Sequence, residues 1–136
     1  MTNDTRLHDR LVPALLTSDM SRTLAFYELL GFHVTGSYPE DGDSTWAEIR
    51  RDGIVLQFHT EPPVGTHPSP VCSGTFYMFL GPVRALAEEL RGRVEFAWGP
   101  EVMGYGLLEL GVRDPDGYYL AFAEPVQEGF DDRRTH

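Results

Sequence analysis

The chain has 136 residues, 41% of them hydrophobic and 24% charged, the make-up of one globular domain, which excludes a disordered tail protein. Acids outnumber bases 21 to 11, and the resulting charge of −10 repels phosphate backbones; all the bases are arginine, so lysine Schiff-base and Walker-type chemistry are excluded. No run approaches the ~20 apolar residues of a membrane helix, residues 1–10 carry acids and histidine where a signal peptide would be apolar, and Cys72 is a lone cysteine, so the expectation is a cytoplasmic protein without disulfides that binds neither nucleic acid nor membrane.

A first strand is expected over 11–17. Ser18 and Asp19 then offer helix N-caps, and Met20, Leu24, Tyr27 and Leu30 recur at helical steps before Gly31, which predicts a short amphipathic helix. Runs rich in branched and aromatic residues at 32–38, 45–50 and 54–60 read as strands. Residues 62–70 hold four prolines and Gly65, the composition of a linker. A strand at 75–80 follows. Pro82 then precedes a second apolar stripe of Val83, Leu86, Ala87 and Leu90, ended by Gly92. Strands at 94–98, 107–113 and 118–123 and a polar tail at 127–136 complete the chain.

Strand, helix, then three strands thus occurs twice, over about 11–61 and 73–125. The halves also echo each other: Glu48 to Phe58 runs like Glu109 to Phe122, with an Asp-Gly turn in each and Leu56 and Phe58 recurring as Leu120 and Phe122. The expected fold is α+β, a single domain of paired βαβββ modules, neither large enough to stand alone.

Val12 to Asp19, followed by Ala25-Phe26-Tyr27 and Leu30-Gly31-Phe32, resembles the opening of vicinal oxygen chelate proteins (the glyoxalase, bleomycin-resistance and dioxygenase group), and Arg113 to Tyr118 resembles the turn before their last strand. The resemblance covers about 11–125 and includes the duplication. It implies curled sheets whose concave faces line a cavity. It leaves the function open between enzymes and binding proteins.

Period-two alternation assigns the faces. Apolar Ile54, Leu56 and Phe58 should meet a helix, which turns Val55, Gln57 and His59 inward; Phe76 and Met78 likewise leave Thr75, Tyr77 and Phe79, and Leu120 and Phe122 leave Tyr119 and Ala121. Trp46, Glu48 and Glu109 oppose apolar neighbours on their strands. Metalloenzymes resembling this chain hold a divalent ion at positions that correspond to Val12, Gln57, Thr75 and Ala121; Val and Ala have no side-chain donor, and Thr and Gln are weak neutral ones, so no metal or other cofactor is expected. Cys72 beside Ser73-Gly74 has no nucleophile motif, there is no Gly-x-Ser-x-Gly elbow, and His59 lacks a matched partner, so no catalytic residue is named.

An acidic chain without those ligands is similar to the bleomycin-resistance type, whose members sequester a cationic aromatic antibiotic in grooves between two subunits. Trp98-Gly99 with Gly104-Tyr105-Gly106 resembles the segment where they place an aromatic-Gly pair. The expected function is metal-free binding of a planar, cationic small molecule by a homodimer, with Trp46 and Tyr105 stacking, Glu48 and Glu109 as charge partners, and Gln57, His59, Thr75, Tyr77 and Tyr119 lining the cavity. The alternative is a glyoxalase- or dioxygenase-like enzyme with a non-standard site.

Overall fold

The computed structural model describes residues 5–63, 65 and 67–126. The tail at 127–136 lies outside the described residues. Of the two candidate caps, Asp19 starts the first helix: its carboxylate accepts the Arg22 amide at 3.0 Å, and α1 (Met20–Leu29) begins at the next residue. Gly31 ends it at φ +89°, returning its amide to the Glu28 carbonyl and that of Phe32 to Tyr27, the Schellman arrangement that favours a residue without a side chain. In α2 (Val83–Leu90) the expected stripe is buried, and Pro82 supplies no capping side chain. Glu124 does that work instead, accepting the Val83 amide at 3.1 Å and placing a carboxylate at the positive end of the helix.

The strands β1 (Ala14–Leu16), β2 (His33–Tyr38), β3 (Trp46–Arg51) and β4 (Ile54–His59) form a sheet ordered β1-β4-β3-β2. A second sheet repeats this order as β5-β8-β7-β6, from β5 (Thr75–Phe79), β6 (Phe96–Val102), β7 (Leu107–Arg113) and β8 (Tyr119–Pro125). In each, the first strand runs parallel to the fourth and the remaining pairs are antiparallel. This is the α+β arrangement of paired βαβββ units. Two boundaries differ from expectation by more than two residues. The first strand is shorter than 11–17: Pro13 has no amide and only accepts, from Gln57 at 2.9 Å. The sixth runs on past Trp98 to Val102, because its ladder absorbs Gly99 and Pro100 in register shifts on either side of Trp98.

Alternation decides what is buried. Ala47, Ile49, Leu56 and Phe58 from one sheet and Met78, Leu110, Leu120 and Phe122 from the other meet Tyr27, Leu30, Val83 and Leu90 in one contiguous core. Each large member contributes about 1.5–3 kcal/mol by leaving water. Polar contacts then join the halves. Asp116, in the loop between β7 and β8, accepts from Thr17 at 2.9 Å, Ser18 at 2.5 Å and Arg22 at 3.2 Å, all at the start of α1. Burial pushes its carboxyl up, but the hydrogen bonds from Ser18 and Thr17 outweigh that and hold it below the usual range. Next to it Asp114 accepts the Tyr27 hydroxyl at 2.9 Å; there burial dominates and the carboxyl is raised. The Tyr118 hydroxyl, pushed up to about 12 chiefly by burial, donates to the Leu16 carbonyl at 2.8 Å.

Candidate functional site

The faces turned away from the core carry two chemically distinct groups, one on each sheet. On the first, Glu48 stands opposite Gln57 across the β3–β4 ladder, and Trp46 opposite His59. Gln57 Nε2 donates to Glu48 at 3.1 Å and Thr35 Oγ1 donates at 2.9 Å. These two hydrogen bonds, helped by the charges of Arg50 and Arg10, hold the Glu48 carboxyl below its ordinary value, so it is an anion at neutral pH. The Trp46 ring lies over Gly36 of the neighbouring strand, where an added Cβ would come within 3.4 Å of it. Glycine inside a strand commonly marks such a close approach.

The second sheet gathers Tyr77, Trp98, Tyr105, Glu109 and Tyr119. Glu109 is only 1% exposed, although the face it occupies is open. Its carboxylate is satisfied by aromatic donors: Trp98 Nε1 at 3.1 Å on one oxygen, and the Tyr77 hydroxyl at 2.9 Å with the Tyr105 hydroxyl on the other. The bond to Glu109 raises the Tyr105 hydroxyl above its ordinary pKa, with a lesser contribution from Tyr77. The Trp98 indole lies flat on Gly111, and Tyr119 packs beside it with ring centroids 5.9 Å apart. The outer surfaces stay in solvent: Tyr77 is 42% exposed, Tyr105 63% and Tyr119 36%, and Phe79 beside Tyr77 is 60% exposed. The result is an outward-facing aromatic platform with a buried anion behind it.

The structure therefore brings Glu48 to Gln57, and Tyr77 and Tyr105 to Glu109, but on separate sheets. Three sequence expectations need correction. Glu109 is covered by rings rather than open to a ligand's charge. Glu48 and Glu109 are not positional equivalents either: Glu48 pairs with Gln57, whereas the residue pairing with Ala121, the counterpart of Gln57, is Gly111. Finally, His59 turns its Nδ1 to the Glu61 carbonyl at 2.8 Å and lines a crevice of about 230 Å³ with Ala14, Leu16, Cys72 and Tyr118. Because a carbonyl only accepts, Nδ1 is the donor in this bond. Thr75 lies at the exposed sheet edge opposite Tyr119. Trp98 and Thr35 were absent from the expected site; the interior glycine Gly111 is the signal that would have found Trp98.

Of the positions matching the metal ligands of related enzymes, Ala121 is fully buried, and Gln57 is engaged with Glu48. Among the described residues no group of three or more His, Cys, Asp or Glu side chains converges as a metal site, and no helix is long and apolar enough to cross a membrane.

The model of the glyoxalase/bleomycin resistance protein/dioxygenase superfamily matches residues 9–122. Among solved structures, TnmS3, an antibiotic binding protein from Streptomyces sp. CB03234, is 21% identical with a TM-score of 0.71, over 90% of this chain and 99% of that one. A bleomycin resistance determinant encoded on the transposon Tn5 is 26% identical with a TM-score of 0.65, over 87% of this chain and 98% of that one. A bleomycin-binding protein complexed with bleomycin is 22% identical with a TM-score of 0.64, over 86% and 98%. No curated protein sequence matches the chain. With the family model spanning nearly the whole described chain and both sheets ordered alike, the chain belongs to the glyoxalase/bleomycin resistance protein/dioxygenase superfamily.

Proposed function

We propose that this protein binds and sequesters a planar, cationic small molecule without transforming it, working as a homodimer. The observation that carries the reading is the platform of Tyr77, Tyr105, Trp98 and Tyr119 built on the buried Glu109 carboxylate. A carboxylate behind rings that donate to it adds negative potential to their π faces, which suits a flat cation. Its own oxygens are taken by three donors, which supports a positioning role over proton transfer. Glu48, ionised and nearer solvent, is the direct charge partner, with Gln57 and Trp46 beside it. A second copy would cover the open aromatic face and bring a Glu48 group to it, so that ligand is held between a stacking wall and an anionic wall.

Titration of tryptophan emission with cationic heterocycles, including bleomycin-type glycopeptides, tests the reading. Saturable binding tighter than ~1 mM is expected, weakened by added salt and by Glu48→Gln. Absence of binding across the panel, or an affinity indifferent to both Glu48→Gln and Tyr105→Ala, would overturn it.

A further inference from the structure

One difference between the two halves of the chain lies at the last hairpin of each. Between β3 and β4 Arg51 pairs with Ile54 across the two-residue turn of Asp52 and Gly53, whereas between β7 and β8 residues 114–118 intervene before Arg113 pairs with Tyr119. The longer loop reaches the other half: Asp114 and Asp116 seat against α1, and Tyr118 against the end of β1. At the corresponding corner the two-residue turn is flanked by Arg51, which reaches Glu89 of α2 at 3.2 Å, and it presents no ring like that of Tyr118 to the end of β5. A crevice of about 250 Å³ is left there, walled by Phe32, Ile54, Met78, Phe79, Leu80 and Phe122. Ile54 occupies the place that Tyr118 holds in the other half, since Leu56 and Phe58 correspond to Leu120 and Phe122.

Arg51 also borders the crevice, yet it brings little positive charge. Its Nη1 donates to the Leu30 carbonyl at 2.7 Å, and the carboxylates of Glu89 and Asp52 lie 3.2 and 3.7 Å from the guanidinium. An anionic guest would meet those acids, and a cationic one would lose hydration against apolar walls. Beside the aliphatic Ile54 and Leu80 the walls hold three phenylalanine rings and the Met78 thioether, which favour a flat aromatic guest through edge-to-face and sulfur–ring contacts. A cavity of roughly 150 Å³ lined by Leu, Ile and Phe accepts benzene, so one of this size has room for a fused bicycle.

We propose that this crevice between the halves is a second binding site, separate from the outward faces that carry Glu48 and Glu109, for a neutral aromatic molecule of one or two fused rings. The site exists because the β3–β4 turn is shorter than its counterpart, so the space that the longer loop occupies at one corner stays open at the other.

Indole is the probe, and protein labelled with ¹³C at its methionine methyls is the reporter. The Met78 methyl is expected to shift saturably with a Kd below ~1 mM, while Met20 in α1 and Met103 near the aromatic platform stay in place. Ile54→Tyr, which restores the ring found in the other half, and Leu80→Phe, which narrows the same space, should each weaken binding roughly tenfold or more. Tyr105→Ala should leave it unchanged. No saturable Met78 shift in the wild type, an unaltered Kd in a folded filling variant, or loss of binding in Tyr105→Ala would each overturn the site.

Discussion

Glu109 is held by three aromatic donors, and glutamine cannot replace it in that role. A primary amide whose oxygen keeps Trp98 must meet both tyrosine hydroxyls as a donor, so the charge-assisted bonds that the anion receives are lost. Glu109→Gln is therefore expected to cost about 1–3 kcal/mol in urea unfolding and to shift the emission of Trp98. Gly111 has a matching constraint, because an added Cβ would sit 2.1 Å from the Trp98 ring. The ring must leave, breaking its hydrogen bond to Glu109. Gly111→Ala should destabilise by about 1–3 kcal/mol, measured in the same assay, and should abolish ligand-induced changes in Trp98 emission. At Gly99 the obstacle is the Glu109 backbone carbonyl, also 2.1 Å away, and φ is +77°, so neither atom can turn aside and Gly99→Ala should not yield native protein.

The β7–β8 loop and the start of α1 act as one unit through Asp116. Its carboxyl is depressed in the folded state, so the stability it contributes is present above the ordinary carboxyl pKa of about 4 and disappears as pH falls through the lower folded value. Asp116→Asn should cost about 1.5–3 kcal/mol at pH 7, and urea midpoints of mutant and wild type should converge as pH is lowered past that range. Asp114 runs the opposite way: its carboxyl is raised, so it opposes folding increasingly as pH rises through its folded value and offsets part of what Asp116 contributes. None of this pairing is legible in the sequence, because Ser18 and Asp116 are 98 residues apart. The buried faces are legible, since the alternation of Ile54, Leu56 and Phe58 belongs to a single strand and needs no partner to be read. Register is a property of two strands and the turn between them. The echo of Glu48 in Glu109 therefore misplaces the acids by two residues, and Trp98 enters the site through shifts in the β6–β7 ladder that composition does not encode.

Seen alone, one copy leaves Tyr77, Phe79, Tyr105 and Tyr119 open on one sheet face, from 36% to 63% exposed. Contiguous apolar surface of this kind is characteristic of an interface. Opposing its closure is charge: each copy carries −10, so association brings like-charged bodies together. Those two terms respond oppositely to salt. Burial of rings gains from added salt or is indifferent to it, while repulsion beyond about 8–10 Å is screened at physiological ionic strength. The proposed dimer is thus expected to tighten between about 20 and 300 mM NaCl, and the proposed ligand binding through Glu48 to weaken over the same range. Phe79→Glu adds charge at an exposed position where the cost to the fold is small, within about 0.5 kcal/mol, and should shift the protein to monomer in sedimentation equilibrium at tens of micromolar. A ligand site shared between copies must fail together with the dimer, so this variant should lose ligand affinity although Glu48 and Tyr105 are untouched. Wild-type protein sedimenting as a monomer at every salt concentration, or a monomeric Phe79→Glu that binds with full affinity, would place the whole site within one chain.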